Sequence, residues 1–243
     1  MGMGNTTVTA EIEIAGSEIE YRVVESADAT QPRIDVDIHE VKVVVPEDGT
    51  VDPHEFVREN TDWLARKWRK YDEYRDRAPD RTFEPGETFP YQGDDRILHV
   101  RDVDEPEITD EEIVLAKHGV EESSIQDELE ALFREQARTL FEELAAEYVD
   151  EMGVEYEGLA VRNQRTRWGS CSPKQNLSFN WRLIMAPPEI AEYVVVHELA
   201  HLREQNHTNR FWRIVREQLP DYRERANWLE EHSVDLIFTE DDL

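Results

Sequence analysis

The chain has little of several things that would each define a class. Among its 243 residues there is one cysteine, Cys171, so no intrachain disulfide can form and a disulfide-framed secreted scaffold is excluded. No apolar run approaches the ~20 residues of a membrane-spanning helix, so no membrane partner is expected. The first residues, Met1-Gly2-Met3-Gly4-Asn5, lack the basic stretch and apolar core of a secretory signal, and a cytoplasmic location is the resulting expectation. There is no Gly-rich phosphate loop of the Walker type, and no internal repeat is visible. Basic charge is scarce, with 27 Lys and Arg against 56 Asp and Glu for a net charge of −29. Only Lys42, Lys67, Lys70, Lys117 and Lys174 are lysines. An acid excess with so few lysines points to a halophilic-type protein, kept soluble where salt screens its self-repulsion. It also argues against a nucleic-acid ligand.

What is present is concentrated in one stretch, Tyr193-Val194-Val195-Val196-His197-Glu198-Leu199-Ala200-His201, followed by His207. On a helix His197 and His201 lie four residues apart and share a face. Two imidazoles placed that way can hold one zinc ion, and the intervening Glu198 can reach a water on it. A catalytic zinc needs a third protein ligand and an open position. His207 is the candidate. The apolar Val194–Val196 run marks the helix as buried, the small Ala200 leaves room beside a metal, and Asn206 can end the helix in the left-handed conformation.

Around this stretch the patterning is mixed. Alternation over Thr7–Ile14 and through Ile19, Tyr21 and Val23 predicts a hairpin. Further strands are predicted over Arg33–Glu40 and Val41–Val45. One helix opens at Asp52-Pro53 and carries Phe56, Trp63, Leu64, Trp68 and Tyr71 on its apolar stripe. A second hairpin crosses Gln92-Gly93, and Ile113–Leu115 is a short strand. Ser124 with Asp127 caps a long helix that runs to Gly153. Strands are expected over Gly158–Asn163 and Asn176–Ile184, then the histidine helix after Ala186-Pro187-Pro188. Two more helices follow, the first capped by Thr208, and the tail Glu240-Asp241-Asp242 is expected to fray. The expected division is a β-rich amino-terminal part over 1–122 and a catalytic part over 123–243.

Arg167-Trp168-Gly169-Ser170-Cys171, Asn180-Trp181-Arg182-Leu183-Ile184, Ala186-Pro187, the His197–His201 segment and Asn206-His207-Thr208 with Phe211-Trp212 together resemble the YgjP-like metallopeptidase family, predicted metal-dependent hydrolases related to SprT-like and WLM zinc proteases. The resemblance is strongest from Arg162 to Trp212. It implies an α+β fold with a zincin-like core, in which the active-site helix packs under a small, mostly antiparallel sheet. It implies one Zn²⁺ held by His197, His201 and His207, with Glu198 as catalytic acid/base. Glu204 stands where metzincins, which share the three-histidine spacing, carry glycine; a gluzincin would use a downstream glutamate instead, for which Glu217 on the following helix is the nearest candidate, and His207 is preferred because imidazole suits zinc and the spacing fits.

The implied reaction is peptide hydrolysis by a zinc-activated water with Glu198 as general base. The strand from Leu177 to Ile184 is a candidate for pairing with an extended peptide. Arg167, Trp168, Ser170, Asn180 and Arg210 are candidate substrate-binding residues, and Gln126 and Asp127 are candidates to hold a histidine Nδ1. Cys171 reads as a buried structural thiol. Between Ala160 and Arg216 nine residues are basic and four acidic, a local net charge of +5 against −34 elsewhere. That reversal keeps open a phosphate-bearing small molecule as substrate, which makes a metal-dependent nucleoside triphosphate hydrolase the alternative. The same arginines would be explained equally by pairing with the domain's own acids. A SprT-like, nucleic-acid-associated protease is the second alternative.

Overall fold

The computed structural model describes residues 7–14, 16–26, 29–36, 40–47, 49–75, 78–239 and 242. It is an α+β chain in two compact units, residues 1–78 and 79–242. Expectations at Met1–Asn5, Ala15, Ile38, Asp48, Glu240 and Asp241 lie outside the described residues, as does the side chain of Tyr71.

In the first unit, strands β1 (Thr7–Ile14) and β2 (Ser17–Ser26) form the expected antiparallel hairpin. β4 (Val41–Pro46) lies parallel to β2, and β3 (Arg33–Val36) pairs antiparallel with β4, giving the order β1-β2-β4-β3. The alternating Ile19, Tyr21 and Val23, with Val41, Val43 and Val45, bury one face of this sheet against Val57 and Leu64. Those two residues come from two helices where the sequence predicted one. α1 (Pro53–Glu59) and α2 (Thr61–Arg75) break at Asn60. The Asn60 amide donates to the Phe56 carbonyl at 2.8 Å and the Thr61 hydroxyl to the Arg58 carbonyl at 2.5 Å, so side chains take over bonds that a continuous helix would use.

The second unit repeats that strand order. β5 (Thr88–Tyr91) and β6 (Asp94–Arg101) are an antiparallel hairpin, β8 (Glu112–Ala116) is parallel to β6, and β7 (Glu107–Ile108) is antiparallel to β8. The order β5-β6-β8-β7 has the same senses as β1-β2-β4-β3. No internal repeat was visible in the sequence, yet the topology has one. A short α3 (Lys117–Glu122) leads to α4 (Ile125–Met152). Ser124 caps α4 by accepting from the Asp127 amide, and Gly153 ends it at φ 61°. This helix buries Leu129, Phe133, Ala137, Phe141 and Ala145 against Phe89, Leu98, Ile113 and Leu115. That shared core is why the units divide at 78/79, whereas the expected boundary was 122/123: β5–β8 pack with the catalytic helices.

β9 (Gly158–Arg162), β10 (Gly169–Cys171) and β11 (Asn176–Asn180) form a third sheet of order β10-β11-β9, with β10 antiparallel and β9 parallel to β11. Each sheet is mixed, with antiparallel pairings in the majority across the three, in keeping with the mostly antiparallel arrangement expected. β11 stops at Asn180, short of the expected Ile184, and residues 181–185 wind into a 3₁₀ helix that buries Trp181, Leu183 and Ile184. The β5–β6 turn docks on it: Gln92 and Gly93, at φ 52° and 87°, donate their amides to the carbonyls of Ile184 and Met185. A Cβ on Gly93 would stand 3.0 Å from Pro187. Three helices complete the unit, α5 (Pro188–His201), α6 (Asn209–Gln218) and α7 (Tyr222–His232). Asp242, expected to fray, is buried: its carboxylate accepts from the Thr239 amide and from Asn163, 3.8 Å from the Arg182 guanidinium. A guanidinium 1% exposed needs such a counter-charge. Among the described residues no helix is long and apolar enough to cross a membrane.

Candidate metal centre

α5 carries the first two histidines. Pro188 opens it at a position where a missing amide hydrogen costs nothing. Val194, Val195 and Val196 are β-branched and poor helix formers, but all three are buried with Ile190, Ala191, Leu199 and Ala200. Burial of each large apolar side chain contributes about 1.5–3 kcal/mol, which outweighs the propensity deficit of a few tenths each. A polar cluster braces the helix. The Tyr148 hydroxyl of α4 donates to Glu192, and Arg225 of α7 donates to Glu192 and to the Glu189 carbonyl.

α5 ends at His201, with Leu202 as its cap in ordinary right-handed geometry. Asn206 does not take the left-handed conformation expected of it. The chain turns instead through 202–207, and Thr208 caps α6 by accepting from the Phe211 amide. This turn brings His207 back over α5. One nitrogen from each of His197, His201 and His207 lies within 4.8 Å of the others, and the Nε2 atoms of His197 and His207 are 3.0 Å apart. Glu217 is elsewhere, exposed and 4.0 Å from Arg213.

Two imidazole nitrogens at that separation repel unless a proton or cation lies between them. Ligands of a tetrahedral zinc at ~2.05 Å stand about 3.3 Å apart, so the spacing fits one ion. The protonation states fit too. Burial, then the charges of His201 and His207, pushes His197 down to about 3. Burial also lowers His201 and His207. All three shifts favour the neutral imidazole, the state a metal ligand requires. His201 Nδ1 is held by the Glu204 carbonyl at 3.2 Å, leaving Nε2 for a metal. The orienting group is thus a backbone carbonyl. Asp127, suggested for that task, is spent on Ser124 at the start of α4. His197 Nδ1 is buried with no partner among the described residues.

Glu198 is buried, and burial pushes its carboxyl up to about 8 against the opposing effects of Arg167 and of the Cys171 amide, which donates to it. Gly169 makes the room: a Cβ there would lie 2.7 Å from Glu198 Cγ and Oε1. Glu198 thus lies directly against β10.

Of the candidate substrate residues, Arg167 is exposed and electrostatically coupled to Glu198. Ser170 lies in β10 opposite Ser178. Trp168 is half-buried under the Arg182 guanidinium, 5.3 Å from its ring centre. Arg210 is exposed beside Glu204 at 3.8 Å. Asn180 is a correction. It is 1% exposed, its amide donates to the Gln164 carbonyl and its oxygen accepts from the Arg182 amide, so it holds the chain and faces no cleft. Cys171 is only half-buried, and burial followed by the Glu198 charge pushes its thiol up to about 11, an unreactive state.

Two features went unread in the sequence. Tyr193, one turn before His197, packs edge-on to it with ring centres 5.8 Å apart, and burial lifts its phenol to about 12; the i, i+4 spacing was the available signal. Trp212 stacks on His207 at 5.5 Å and on Tyr222 at 5.4 Å, a wall assembled from two helices that no local pattern announces.

A family model described as YgjP-like, metallopeptidase domain, matches residues 30–232. Among solved structures the chain is similar to the metallopeptidase zymogen abylysin of Pyrococcus abyssi, at 22% identity over 37% of this chain and 90% of that one, with a TM-score of 0.35. It is also similar to the zymogen jannalysin of Methanocaldococcus jannaschii, at 19% identity over 37% and 92% of the respective chains, with a TM-score of 0.34. No curated protein matches.

Proposed function

Because the chain belongs to the YgjP-like metallopeptidase family, we propose that it is a zinc-dependent peptidase with Glu198 as its general base. The observation that carries this reading is the convergence of three imidazoles beside a buried carboxyl and a strand with an unpaired edge. His197, His201 and His207 would hold the ion, which when bound acidifies water and polarises a carbonyl. Glu198 accepts the proton of the attacking water and returns it to the leaving amine. Its raised pKa keeps it near the working range, where a carboxylate both takes and gives a proton. Arg167 and the Cys171 amide favour the ionised form that must start the cycle.

The peptide docks on β10. β11, offered by the sequence, is the central strand with both edges paired, whereas among the described residues β10 has one edge free. An extended peptide added there lies alongside Glu198. Two of the arginines near the motif are committed to the chain itself, Arg182 to Asn180, Gln164 and Asp242, and Arg203 to the Met152 carbonyl. This weakens the case for a phosphoanhydride substrate.

The deciding experiment is metal analysis with turnover of denatured protein and of nucleoside triphosphates. The expected result is about one zinc per chain and peptide cleavage that chelation abolishes. Glu198→Gln should keep the zinc and lose about 10²–10⁴-fold in kcat. Full activity of that variant, or turnover of nucleotides alone, would refute the reading.

A further inference from the structure

Beside the metal centre, α6 and the start of α7 enclose a pocket of about 560 Å³ lined by Asn209, Trp212, Arg213, Arg216, Tyr222 and Arg223. In a chain with twice as many acids as bases, this lining has three guanidiniums and no carboxylate. The guanidiniums are largely available. Arg216 has no hydrogen bond or ion pair among the described residues. Among the described residues Arg213 pairs only with Glu217, one turn away at 4.0 Å and exposed, a pairing worth a few tenths of a kcal/mol. Arg223 spends its Nε on the Tyr222 hydroxyl at 3.1 Å and lies over that ring, and its terminal nitrogens have no partner among the described residues.

The pocket is joined to the centre through its aromatic wall. Tyr222 stacks on Trp212 at an interplanar angle of 18°, and Trp212 stacks on His207 at 27°. Trp212 also touches His197, with ring centres 5.7 Å apart. A group in the pocket therefore rests against the same indole that rests against two of the three histidines. Its size suits one side chain and its flanking backbone, and its charge suits a carboxylate, which guanidinium forks grip with two directed hydrogen bonds. Such short contacts keep their direction at ionic strengths that screen long-range attraction.

We propose that this pocket is the specificity subsite of the enzyme and takes an acidic side chain of the substrate, next to the bond that is cut. The proposal rests on the peptidase reading, deepens it, and is tested by two measurements that fail separately. In the first, fluorogenic peptides carrying Glu, Ala or Lys at each position flanking the cleaved bond are compared by kcat/KM. At one position the Glu-to-Lys ratio is expected to exceed 10, to fall below 1 in Arg216→Glu, and to remain above 1 in Arg216→Lys. A ratio near 1 at every position, or one that Arg216→Glu leaves unchanged, overturns the proposal. If no peptide is cleaved, the peptidase reading itself has failed, and the pocket is judged by the second measurement. Here the same peptides are titrated into zinc-loaded Glu198→Gln while tryptophan fluorescence is followed. At least tenfold tighter binding of the Glu peptide, lost in Arg216→Glu, supports the subsite. Equal binding of Glu and Lys peptides overturns it, as does a nucleoside triphosphate that binds more tightly than the Glu peptide and depends on Arg216.

Discussion

At the scale of single residues, the site depends on a hydrogen atom where any other residue would place a carbon. Gly169 faces Glu198 so closely that a methyl group would overlap the carboxyl by about 1 Å, judged against ordinary van der Waals contact. Gly169→Ala is therefore expected to push Glu198 out of place while leaving the histidines alone. The measurement is kcat alongside zinc content: a loss of roughly 10²-fold or more with about one zinc retained is the expected pair. Near-normal turnover would show that Glu198 has slack the geometry denies it. This glycine was legible only as one letter of a family motif. Its reason lies in a helix almost thirty residues away in sequence, and no local pattern carries that distance. The histidines were legible because i, i+4 spacing on a helix is itself geometry. His207 was found by type and spacing, although the helix end assigned to Asn206 comes instead at His201.

Among the elements, α5 is held between α4 and α7 by Tyr148, Glu192 and Arg225. Burial, then the hydrogen bond to Glu192 and its charge, lifts the Tyr148 phenol well above the ordinary tyrosine range. An unfolded tyrosine releases its proton near pH 10. Above that pH the native state holds the proton that the unfolded state has lost, so stability present below pH 10 declines as pH rises past it. Thermal melts from pH 8 to 11 are expected to show this decline, and to show less of it in Tyr148→Phe. A variant whose alkaline decline matches the wild type would remove Tyr148 from the account. The helices themselves were well foreseen where a cap and an apolar stripe coincide, as at Ser124–Gly153 and Thr208. They were misjudged where side chains compete with the backbone: Asn60 and Thr61 split one expected helix into two, and Asn180 ends a strand by capping a 3₁₀ turn. The edge open to a peptide was assigned to the wrong strand, because strand order is set by pairing between distant segments and leaves no periodic trace.

For the molecule as a whole, two cores account for two units. Phe89, Leu98, Ile113 and Leu115 belong to the core of the catalytic helices, so residues 79–243 expressed alone are expected to fold and bind about one zinc per chain. An aggregated or zinc-free product would show that the first unit is needed. The net charge of −29 sets a second expectation. Raising KCl from 0.1 M to 2 M shortens the screening length from ~10 Å to about 2 Å and should raise the melting temperature by on the order of 10 °C. A flat response would mean that self-repulsion is already relieved by local pairs such as Arg101 with Glu112. The turn after α5 has a further consequence. The three histidines reach from the last helical turn of α5 to the residue before the α6 cap, and the chain owns a single thiol. An ion seated among them is then a cross-link within the polypeptide, and no other such cluster of ligands occurs among the described residues; it closes a short loop as a disulfide would. A chelator should act on it as a reductant acts on a secreted protein: amide exchange quickens first across 202–210, while the core under α5 stays shut.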